Sequence, residues 1–329
     1  MQKDSSSPRM SKRFNKIYRA LEIILNVSFN LDAFKRYYKT YRNWPIVMIR
    51  VVLKKKGLLK IRDPKIILEG GAGLAATISF LLTCSNNTNI TEVNLDLASQ
   101  GIVKFNYHGT KVSLRVTDPT TMFANGDVSL FYNEDYKFLE PSGKTIVDIG
   151  ASIGDSAIYF LFNGASRVVA LEPFPYTYKM AVENVKLNGL GEKIILVNAG
   201  YGNGNTITIN QEEISGTSSK LTNQIGNYNV NTYSLENLIN RYNIPMNSAI
   251  KMDCEGCEYQ VIKESNEILR HFERFQIEYH LGYKSLKRKL DDAGFLTEVK
   301  IDGSDPNVGW LYALRDENYP QVNRQLPGP

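Results

Sequence analysis

Two apolar runs of this chain carry an acidic residue at or near their end, where a cofactor can bind. Asp148 stands in the run Thr145-Ile-Val-Asp-Ile, and Gly150 and Gly154 flank the turn behind it. A helical pattern begins directly after that turn. A second run, Arg167-Val-Val-Ala-Leu, is followed at once by Glu172. Strand–loop–helix units with glycines that let the backbone approach a ligand are typical of nucleotide-cofactor sites. The sequence therefore predicts such a site here.

The glycine spacing disfavours a dinucleotide cofactor. When the G-x-G-x-x-G pattern is aligned on Gly150, its other glycines fall on Ser152 and Asp155. The segment also lacks the lysine of a phosphate-cradling Walker loop. What stands there is Asp148-x-Gly-x-x-x-Gly154-Asp155. An NAD-linked oxidoreductase is therefore the weaker alternative.

A set of segments resembles the FkbM family of class I S-adenosylmethionine-dependent methyltransferases in its order and spacing. The segments are Val147-Asp-Ile-Gly-Ala-Ser-Ile-Gly-Asp155, Leu171-Glu-Pro173, Ser234-Leu-Glu-Asn-Leu238, Ile250-Lys-Met-Asp-Cys-Glu-Gly-Cys-Glu258 and Ile277-Glu-Tyr-His280. The resemblance covers about residues 126–315. It is only vague over residues 1–100, so no function is carried over to them.

The resemblance implies that S-adenosylmethionine binds at the carboxyl ends of the strands. Asp148 is expected to orient the methionine end, and Glu172 to accept both ribose hydroxyls. A helix N-terminus can face the methionine carboxylate. The full expected set is Asp148, Gly150, Ala151, Gly154, Asp155, Glu172, Pro173 and Phe174 beside the adenine, Asn198 and Ala199 on its other side, and Asp253.

The resemblance further implies an O-methyltransferase that acts on a sugar hydroxyl of a glycan or glycolipid. In-line displacement at a sulfonium depends on positioning and water exclusion. A hydroxyl acceptor also needs a base, for which Asp253, Glu255 and His280 are the candidates. Glu278 is expected to hold the tautomer of His280 or to bind acceptor hydroxyls. The alternatives are a nucleic-acid or small-molecule methyltransferase and a non-catalytic adaptor that retains the fold; no base-flipping motif like Asn-Pro-Pro-Tyr supports nucleic acid.

The cysteines predict neither a metal site nor a disulfide framework. The chain has three, Cys84, Cys254 and Cys257. A four-cysteine zinc site is therefore impossible, and no histidine stands at finger-like spacing. So few cysteines favour a reducing compartment. A redox function for Cys254-x-x-Cys257 is disfavoured.

Positive charge is concentrated at the N-terminal end. Residues 1–65 hold 17 Lys and Arg against 4 Asp and Glu, a balance of +13, although the whole chain carries only +5. This asymmetry indicates contact with an anionic membrane or another anionic partner, or a solvated helical face. There is no secretory signal pattern, and the apolar stretch 72–84 is too short to span a bilayer. We therefore expect a cytoplasmic protein that can touch a membrane surface.

The order of elements predicts a Rossmann-like α/β fold. From residue 144, strands alternate with helices, which predicts a seven-stranded, mostly parallel sheet with helices on both faces and one antiparallel closing strand. Residues 1–12 are expected to be disordered. The methyltransferase domain is expected at residues 126–315, and residues 316–329 should form a C-terminal tail. Residues 13–125 should form a basic helical region with a hairpin at His108-Gly109. Its helices, at 14–41 and 46–59, are expected to pack on the domain rather than lie on a membrane. A helix is expected at about 258–269. Residues 203–230 should hold a short strand, Thr206-Ile-Thr-Ile, and then a loop whose part at 215–220 is a candidate flap.

Overall fold

The computed structural model of the chain describes residues 31–63, 65, 67–71, 75–76, 78–79, 82, 89–96, 102–115, 128–209, 227–301 and 305–318. The disorder expected at residues 1–12 and the flap expected at 215–220 lie outside these residues. So does most of the expected C-terminal tail.

The N-terminal region contains both helices and antiparallel strands. Its elements are helices α1 (Leu31–Thr40) and α2 (Trp44–Val52), the strand pair β1 (Gly57–Lys60) and β2 (Ile67–Gly70), and a sheet of β3 (Ile90–Asp96), β4 (Ile102–Tyr107) and β5 (Thr110–Arg115). The hairpin at His108-Gly109 is confirmed, with both turn residues at positive φ. The helix expected at 46–59 is wrong in its second half. It ends at Val52, Lys54 adopts a left-handed φ of 51°, and β1 follows.

The rest of the chain alternates between strands and helices, as the sequence predicts. Its elements are α3 (Ser129–Asn133), a 3-10 helix (Lys137–Leu139), β6 (Thr145–Ile149), α4 (Asp155–Phe162), β7 (Arg167–Leu171), α5 (Pro175–Leu187), β8 (Ile194–Val197), β9 (Gly200–Tyr201), β10 (Thr206–Ile209), β11 (Tyr228–Tyr233), α6 (Leu235–Tyr242), β12 (Ser248–Met252), a second 3-10 helix (Cys257–Lys263), α7 (Asn266–Arg270), β13 (Phe272–Tyr279), α8 (Lys284–Asp292), β14 (Phe295–Ile301) and β15 (Gly309–Arg315).

The main sheet has seven strands in the order β14-β15-β13-β12-β6-β7-β8. Strand β15 runs antiparallel to both of its neighbours, and the pairings from β13 to β8 are parallel. This confirms the Rossmann-like α/β fold with one antiparallel closing strand. The chain runs outward from β6 to β8 and then returns to β12 on the other side of β6. In open sheets, ligands bind at the carboxyl ends of the strands where the order reverses in this way.

Two segments differ from the sequence prediction. The helix expected at about 258–269 is split into the second 3-10 helix and α7, because Glu264 is extended and Ser265 caps α7 by accepting from the N–H of Ile268. Residues 228–230, expected in a loop, begin β11, which lies between β10 and β9 in a small second sheet. Neither difference moves the carboxyl edge of the main sheet.

The N-terminal region and the main sheet share a hydrophobic core. Phe34, Tyr41 and Trp44 belong to the same buried cluster as Tyr159 and Ile146 of β6. The Tyr41 hydroxyl also donates to a buried backbone carbonyl, that of residue 75, at 2.8 Å. The described helices of the basic region therefore pack on the protein. None of the helices in the described part of the chain has both the length and the apolar character that crossing a bilayer requires.

Candidate active site

A buried ion pair anchors the loop that follows β6. Asp148 Oδ1 lies 3.2 Å from Lys251 Nζ, and the two side chains are 0% and 2% exposed. The same ammonium donates to the carbonyl of Gly150 at 2.7 Å, and Ser156 Oγ donates to Asp148 Oδ2 at 2.6 Å. Because Asp148 and Lys251 are paired in the register of β6 and β12, the contact joins the two strands at the point where the chain order reverses.

Lys251 is a site residue that the sequence analysis did not single out. Burial alone lowers the pKa of a lysine, but Asp148, Asp253 and Asp155 outweigh it, so the pKa of Lys251 is raised and the side chain stays charged. The signal was present, since a lysine between Ile250 and Met252 in an apolar run must find a partner when buried. Its partner cannot be identified until β12 is placed beside β6.

The two loop glycines are required by contacts within the protein. Both have a positive φ, 81° at Gly150 and 83° at Gly154. A Cβ at Gly150 would come within 1.9 Å of the Asp253 carbonyl oxygen, and one at Gly154 within 3.2 Å of Ala181 in α5. The loop therefore packs directly against the end of β12 and against α5. A contact of these glycines with the cofactor stays a prediction.

Glu172 fastens the end of β7 to the same loop. It is buried, and its carboxylate accepts from the N–H of Ser152, the N–H of Phe174 and the hydroxyl of Thr177 at 2.8–3.0 Å. Burial raises the pKa of Glu172 to about 7, despite these hydrogen bonds. A carboxylate has about four acceptor positions, so about one remains, on Oε2, for a ribose hydroxyl. Acceptance of both hydroxyls would require a rearrangement.

The residues expected around the adenine are packed closely against one another and against the second sheet. Asn198 donates through Nδ2 to the carbonyls of Glu172 and Pro173 and thereby fixes the end of β7. Phe174 is buried in a cluster with Ile209 and Val230 of the second sheet. Pro173 and Ala199 are also buried. The structure thus brings the expected residues together, while their contact with the adenine stays a prediction.

Asp155 begins α4 beside this ion pair. Burial raises the pKa of its carboxyl to about 7, although nearby Lys251 and the N–H of Ser156 favour the ionised form. A contact between the N-terminus of α4 and the methionine carboxylate stays a prediction. Ala151 at the start of the loop is buried, and its N–H bonds the carbonyl of Leu171.

A second group of ionisable residues lies where β12 and β13 end. Ligand atoms of Asp253, Glu278 and His280 all lie within 4.8 Å of one another. His280 Nδ1 lies 3.1 Å from Oε1 of Glu258, a side chain with no exposure, which also accepts the backbone N–H of His280. The carboxylate on the His280 ring is therefore that of Glu258 and not that of Glu278, while binding of acceptor hydroxyls by Glu278 stays a prediction. Glu278 instead shares a hydrogen bond with Asp253. We name Asp253, Glu278 and His280 the acceptor-edge triad.

The charges of this group decide which residue can accept a proton. Burial and the neighbouring Asp253 raise the pKa of Glu278 to about 8. Burial works against protonation of His280, but Glu258 and Glu255 outweigh it, and its pKa is raised to about 9. At neutral pH, with no ligand bound, His280 is therefore cationic and cannot serve as a base. This charge favours Asp253 over His280 as the base.

The turn after Asp253 is closed by a bond that the sequence analysis did not predict. Cys254 and Cys257 form a disulfide with their Cα atoms 5.5 Å apart. Glu255 lies between them at a positive φ of 56°, and its Oε2 is 3.6 Å from His280 Nε2. The small ring therefore constrains the turn that carries one of the three candidate bases.

Comparison with known proteins agrees with this geometry. Residues 148–296 match the model of the methyltransferase FkbM domain. Hexuronic acid methyltransferase AglP of Haloferax volcanii is 25% identical over 154 residues, which are 46% of this chain and 63% of that protein. Ribosomal protein L11 methyltransferase of Carboxydothermus hydrogenoformans is 34% identical over 83 residues, which are 24% and 27%. The matches thus span less than two thirds of these two relatives.

Solved structures also resemble parts of the chain. A methyltransferase FkbM from Methylobacillus flagellatus is 18% identical with a TM-score of 0.36, covering 52% of this chain and 43% of its own. M. jannaschii TYW2, solved in complex with AdoMet, is 18% identical with a TM-score of 0.38, covering 67% and 87%. Both TM-scores lie below 0.5, so neither structure bears on the function of this chain. The family match covers the glycine loop, Glu172 and the acceptor-edge triad, and residues 148–296 are therefore an S-adenosylmethionine-dependent methyltransferase domain of the FkbM type.

Proposed function

We propose that the protein is an O-methyltransferase that transfers a methyl group from S-adenosylmethionine to a sugar hydroxyl of a glycan or glycolipid. The observation that carries the proposal is the direct contact between the glycine loop and the acceptor-edge triad, since Gly150 has room only for a hydrogen atom against the Asp253 carbonyl. A methyl donor held by the loop would thus lie next to a group of proton acceptors. In-line transfer requires this adjacency.

The residues on the loop side fit the cofactor. Asp148 Oδ1 is buried and has only Lys251 beside it, at 3.2 Å, so it would accept from the ammonium of the methionine end once the loop moves aside. Asp155 adds a second carboxyl beside it. Glu172 can accept one ribose hydroxyl through its remaining position on Oε2. When bound, S-adenosylmethionine supplies an electrophilic methyl group on a sulfonium.

The acceptor-edge triad supplies the proton chemistry. As the hydroxyl oxygen bonds to the methyl carbon and the carbon–sulfur bond breaks, the hydroxyl proton passes to Asp253. The hydrogen bond from Glu278 keeps Asp253 oriented, and the cationic His280 offsets the charge of the surrounding carboxylates. The products are a methyl ether and S-adenosylhomocysteine. Carboxylates at this edge disfavour an anionic methyl acceptor and favour a neutral hydroxyl.

The likeness to a hexuronic acid methyltransferase supports a sugar acceptor. A hexuronic acid carries both hydroxyls and a carboxylate. The acids around His280 repel that carboxylate, so we expect methylation of a hydroxyl remote from it. A neutral glycan is the matched comparison, because it offers similar hydroxyls without the charge.

The basic N-terminal region is proposed to hold the enzyme near anionic lipid or a lipid-linked acceptor. Ile46, Leu53 and Leu58 are exposed apolar side chains on α2, just after it and on β1. Lys54-Lys55-Lys56 lies among them and is exposed as well. Apolar side chains next to lysines are typical of surfaces that bind anionic membranes. Contact with nucleic acid is the less favoured alternative.

Calorimetry and methyl transfer test the proposal. Titration with S-adenosylmethionine, S-adenosylhomocysteine and NAD should give binding to the two sulfur compounds and not to NAD. Labelled methyl transfer should then be measured to a hexuronic-acid glycan, a neutral glycan and RNA. Label in either glycan that resists mild base supports a methyl ether, while base-labile label would indicate a methyl ester. Binding of the cofactor without transfer to any glycan would contradict the sugar acceptor.

A further inference from the structure

The acceptor-edge triad combines donor atoms that together suit a metal ion. It offers two carboxylates and one imidazole from the ends of adjacent, directly paired strands. We infer that Asp253, Glu278 and His280 bind one hard divalent cation, of the Mn²⁺ or Mg²⁺ class, at the acceptor edge. The inference rests on the proposed function, since the cation would act on the acceptor hydroxyl. The sequence analysis predicts no metal site, because Asp253 stands 25 residues before Glu278 and only the pairing of β12 with β13 brings them together.

The distances suit a single ion. Cations of this class bond oxygen at about 2.1 Å in near-octahedral geometry, so neighbouring ligand atoms lie about 3 Å apart and opposite ones about 4 Å apart. The ligand atoms of the triad lie within 4.8 Å of one another. Small side-chain rotations therefore bring them to bonding distance. The strands β12 and β13 hold the backbones, because Met252 and Ile277 are paired in register next to the triad.

An independent feature orients the imidazole. Glu258 does not belong to the triad and has no exposed surface, and it holds both Nδ1 and the backbone N–H of His280. Metal-bound histidines commonly have a carboxylate on the other ring nitrogen, which fixes the ring and increases its basicity. Because Glu258 contacts Nδ1, Nε2 is the ring nitrogen left for a ligand. Glu255 Oε2, 3.6 Å from Nε2, is close enough to serve as an additional ligand.

The local charge also favours a cation. Asp253, Glu255, Glu258 and Glu278 bring four carboxyl groups around His280. The nearest buried lysine, Lys251, is already in contact with Asp148 on the loop side. Burial makes closely spaced carboxylates costly unless a cation neutralises them. A divalent ion would take the place of the protons on His280 and Glu278, because metal ligands must be deprotonated.

The donor set selects the class of cation. Carboxylate oxygens favour Mg²⁺ and Mn²⁺, whereas thiolates favour zinc and other soft ions. Cys254 and Cys257 lie in the same turn, but their sulfurs are joined to each other and supply no thiolate. One imidazole among carboxylates is compatible with Mn²⁺. Such an ion would bind the acceptor hydroxyl and lower its pKa. Asp253 would offer the ion one carboxylate oxygen and keep the other for the hydroxyl proton.

Binding of Mn²⁺ provides a test that does not depend on activity. The full chain is freed of metal with a chelator, and free Mn²⁺ is then followed by its electron paramagnetic resonance signal during titration. We expect one bound ion per chain, and at least about tenfold weaker binding in Glu278→Gln and in His280→Asn. The matched control is Glu134→Gln, which alters a surface carboxylate 3.1 Å from His108 and should leave binding unchanged. Circular dichroism and S-adenosylhomocysteine affinity establish that each variant is folded.

The outcomes separate this inference from the proposed function. Cofactor binding by a chain that binds no Mn²⁺, or equal Mn²⁺ affinity in Glu278→Gln and the wild type, would overturn the cation site. Mn²⁺ binding that depends on the triad supports the site, even when no glycan is methylated. In that case only the sugar acceptor is refuted. Stimulation of glycan methylation by Mn²⁺ and its loss with chelator would support both.

Discussion

Replacement of Lys251 by methionine should cost about 3–5 kcal/mol of unfolding free energy. The ammonium lies 3.2 Å from Asp148 Oδ1 and 2.7 Å from the Gly150 carbonyl, and both side chains of the ion pair are almost completely buried. Methionine fills a similar volume but carries no charge. Asp148 would then be a buried carboxylate held by the Ser156 hydroxyl alone. Urea unfolding at neutral pH, followed by circular dichroism, measures the loss.

Two further variants separate the contribution of burial to the unfolding free energy from the contribution of the ion pair itself. Lys144 lies 3.0 Å from Glu273, nearly the same distance, but these side chains are 18% and 24% exposed. Lys144→Met should therefore cost less than about 1 kcal/mol, because solvent screens the pair. The double variant Asp148→Asn/Lys251→Met contains no unpaired buried charge. It should recover part of the stability that Lys251→Met loses.

The results can refute the reasoning in two ways. Equal losses in Lys251→Met and Lys144→Met would show that the burial of the Asp148 pair adds nothing to its energy. A double variant less stable than Lys251→Met alone would show that the charge of Asp148 is not what the lysine compensates. In the latter case the hydrogen bond to Gly150 would be the main contribution of Lys251.

Further predictions address the cofactor acid, the loop, the disulfide and the basic surface. Because the pKa of Glu172 is raised to about 7 and a ribose hydroxyl donates to its ionised form, S-adenosylmethionine affinity should rise between about pH 6 and pH 8; calorimetry should show a smaller rise in Glu172→Gln, and an identical rise would contradict the ribose contact. Gly150→Ala should cost at least about 3 kcal/mol in urea unfolding, since its Cβ would meet a backbone oxygen at 1.9 Å; Gly189→Ala, with positive φ but open space, should cost only about 1–2 kcal/mol. Replacing both Cys254 and Cys257 by serine should lower stability by about 2 kcal/mol in oxidising buffer and little in reducing buffer. Exchanging residues 54–56 for glutamine should weaken binding to anionic but not neutral liposomes in a flotation assay, and unchanged retention on anionic liposomes would leave this stretch a solvated surface.

The liposome test uses charge substitutions because the structure rules out a simple truncation. Phe34, Tyr41 and Trp44 are buried in the core shared with the main sheet. Deleting residues 1–60 would remove these side chains and expose their apolar partners. Loss of liposome binding would then report unfolding rather than loss of charge. Glutamine substitutions at exposed lysines avoid this ambiguity.

The main sheet can be predicted from the sequence because of how its central strands are buried. All five residues of β6 are buried, and so are all five of β12. Strands covered on both faces read as short apolar runs rather than as alternating patterns. The chemistry-bearing residues Asp148, Glu172 and Asp253 stand near the ends of such runs. Their grouping at one edge therefore follows from the parallel arrangement alone.

Other features depend on contacts that a local pattern cannot contain. Glu264 lies in a segment with helical periodicity, yet its carboxylate accepts from the Tyr201 hydroxyl and from the N–H of Leu235. These partners are 63 and 29 residues away in the chain, and the contact interrupts the helix. The pairing of His280 with Glu258 rather than with Glu278 also depends on a contact between residues that are distant in the chain. Both acids stand at plausible positions, and only the folded turn decides between them.

The junction between β6 and β12 links the two halves of the candidate site mechanically. Lys251 holds the Gly150 carbonyl from one side, and the Asp253 carbonyl packs against the Cα of Gly150 from the other. A displacement of the glycine loop must therefore displace Asp253 and with it the acceptor-edge triad. Methyl transfer requires the donor carbon and the acceptor oxygen to be aligned closely. The backbone contact between Gly150 and Asp253 sets that alignment, so binding of the cofactor and of the acceptor should be energetically coupled in this protein.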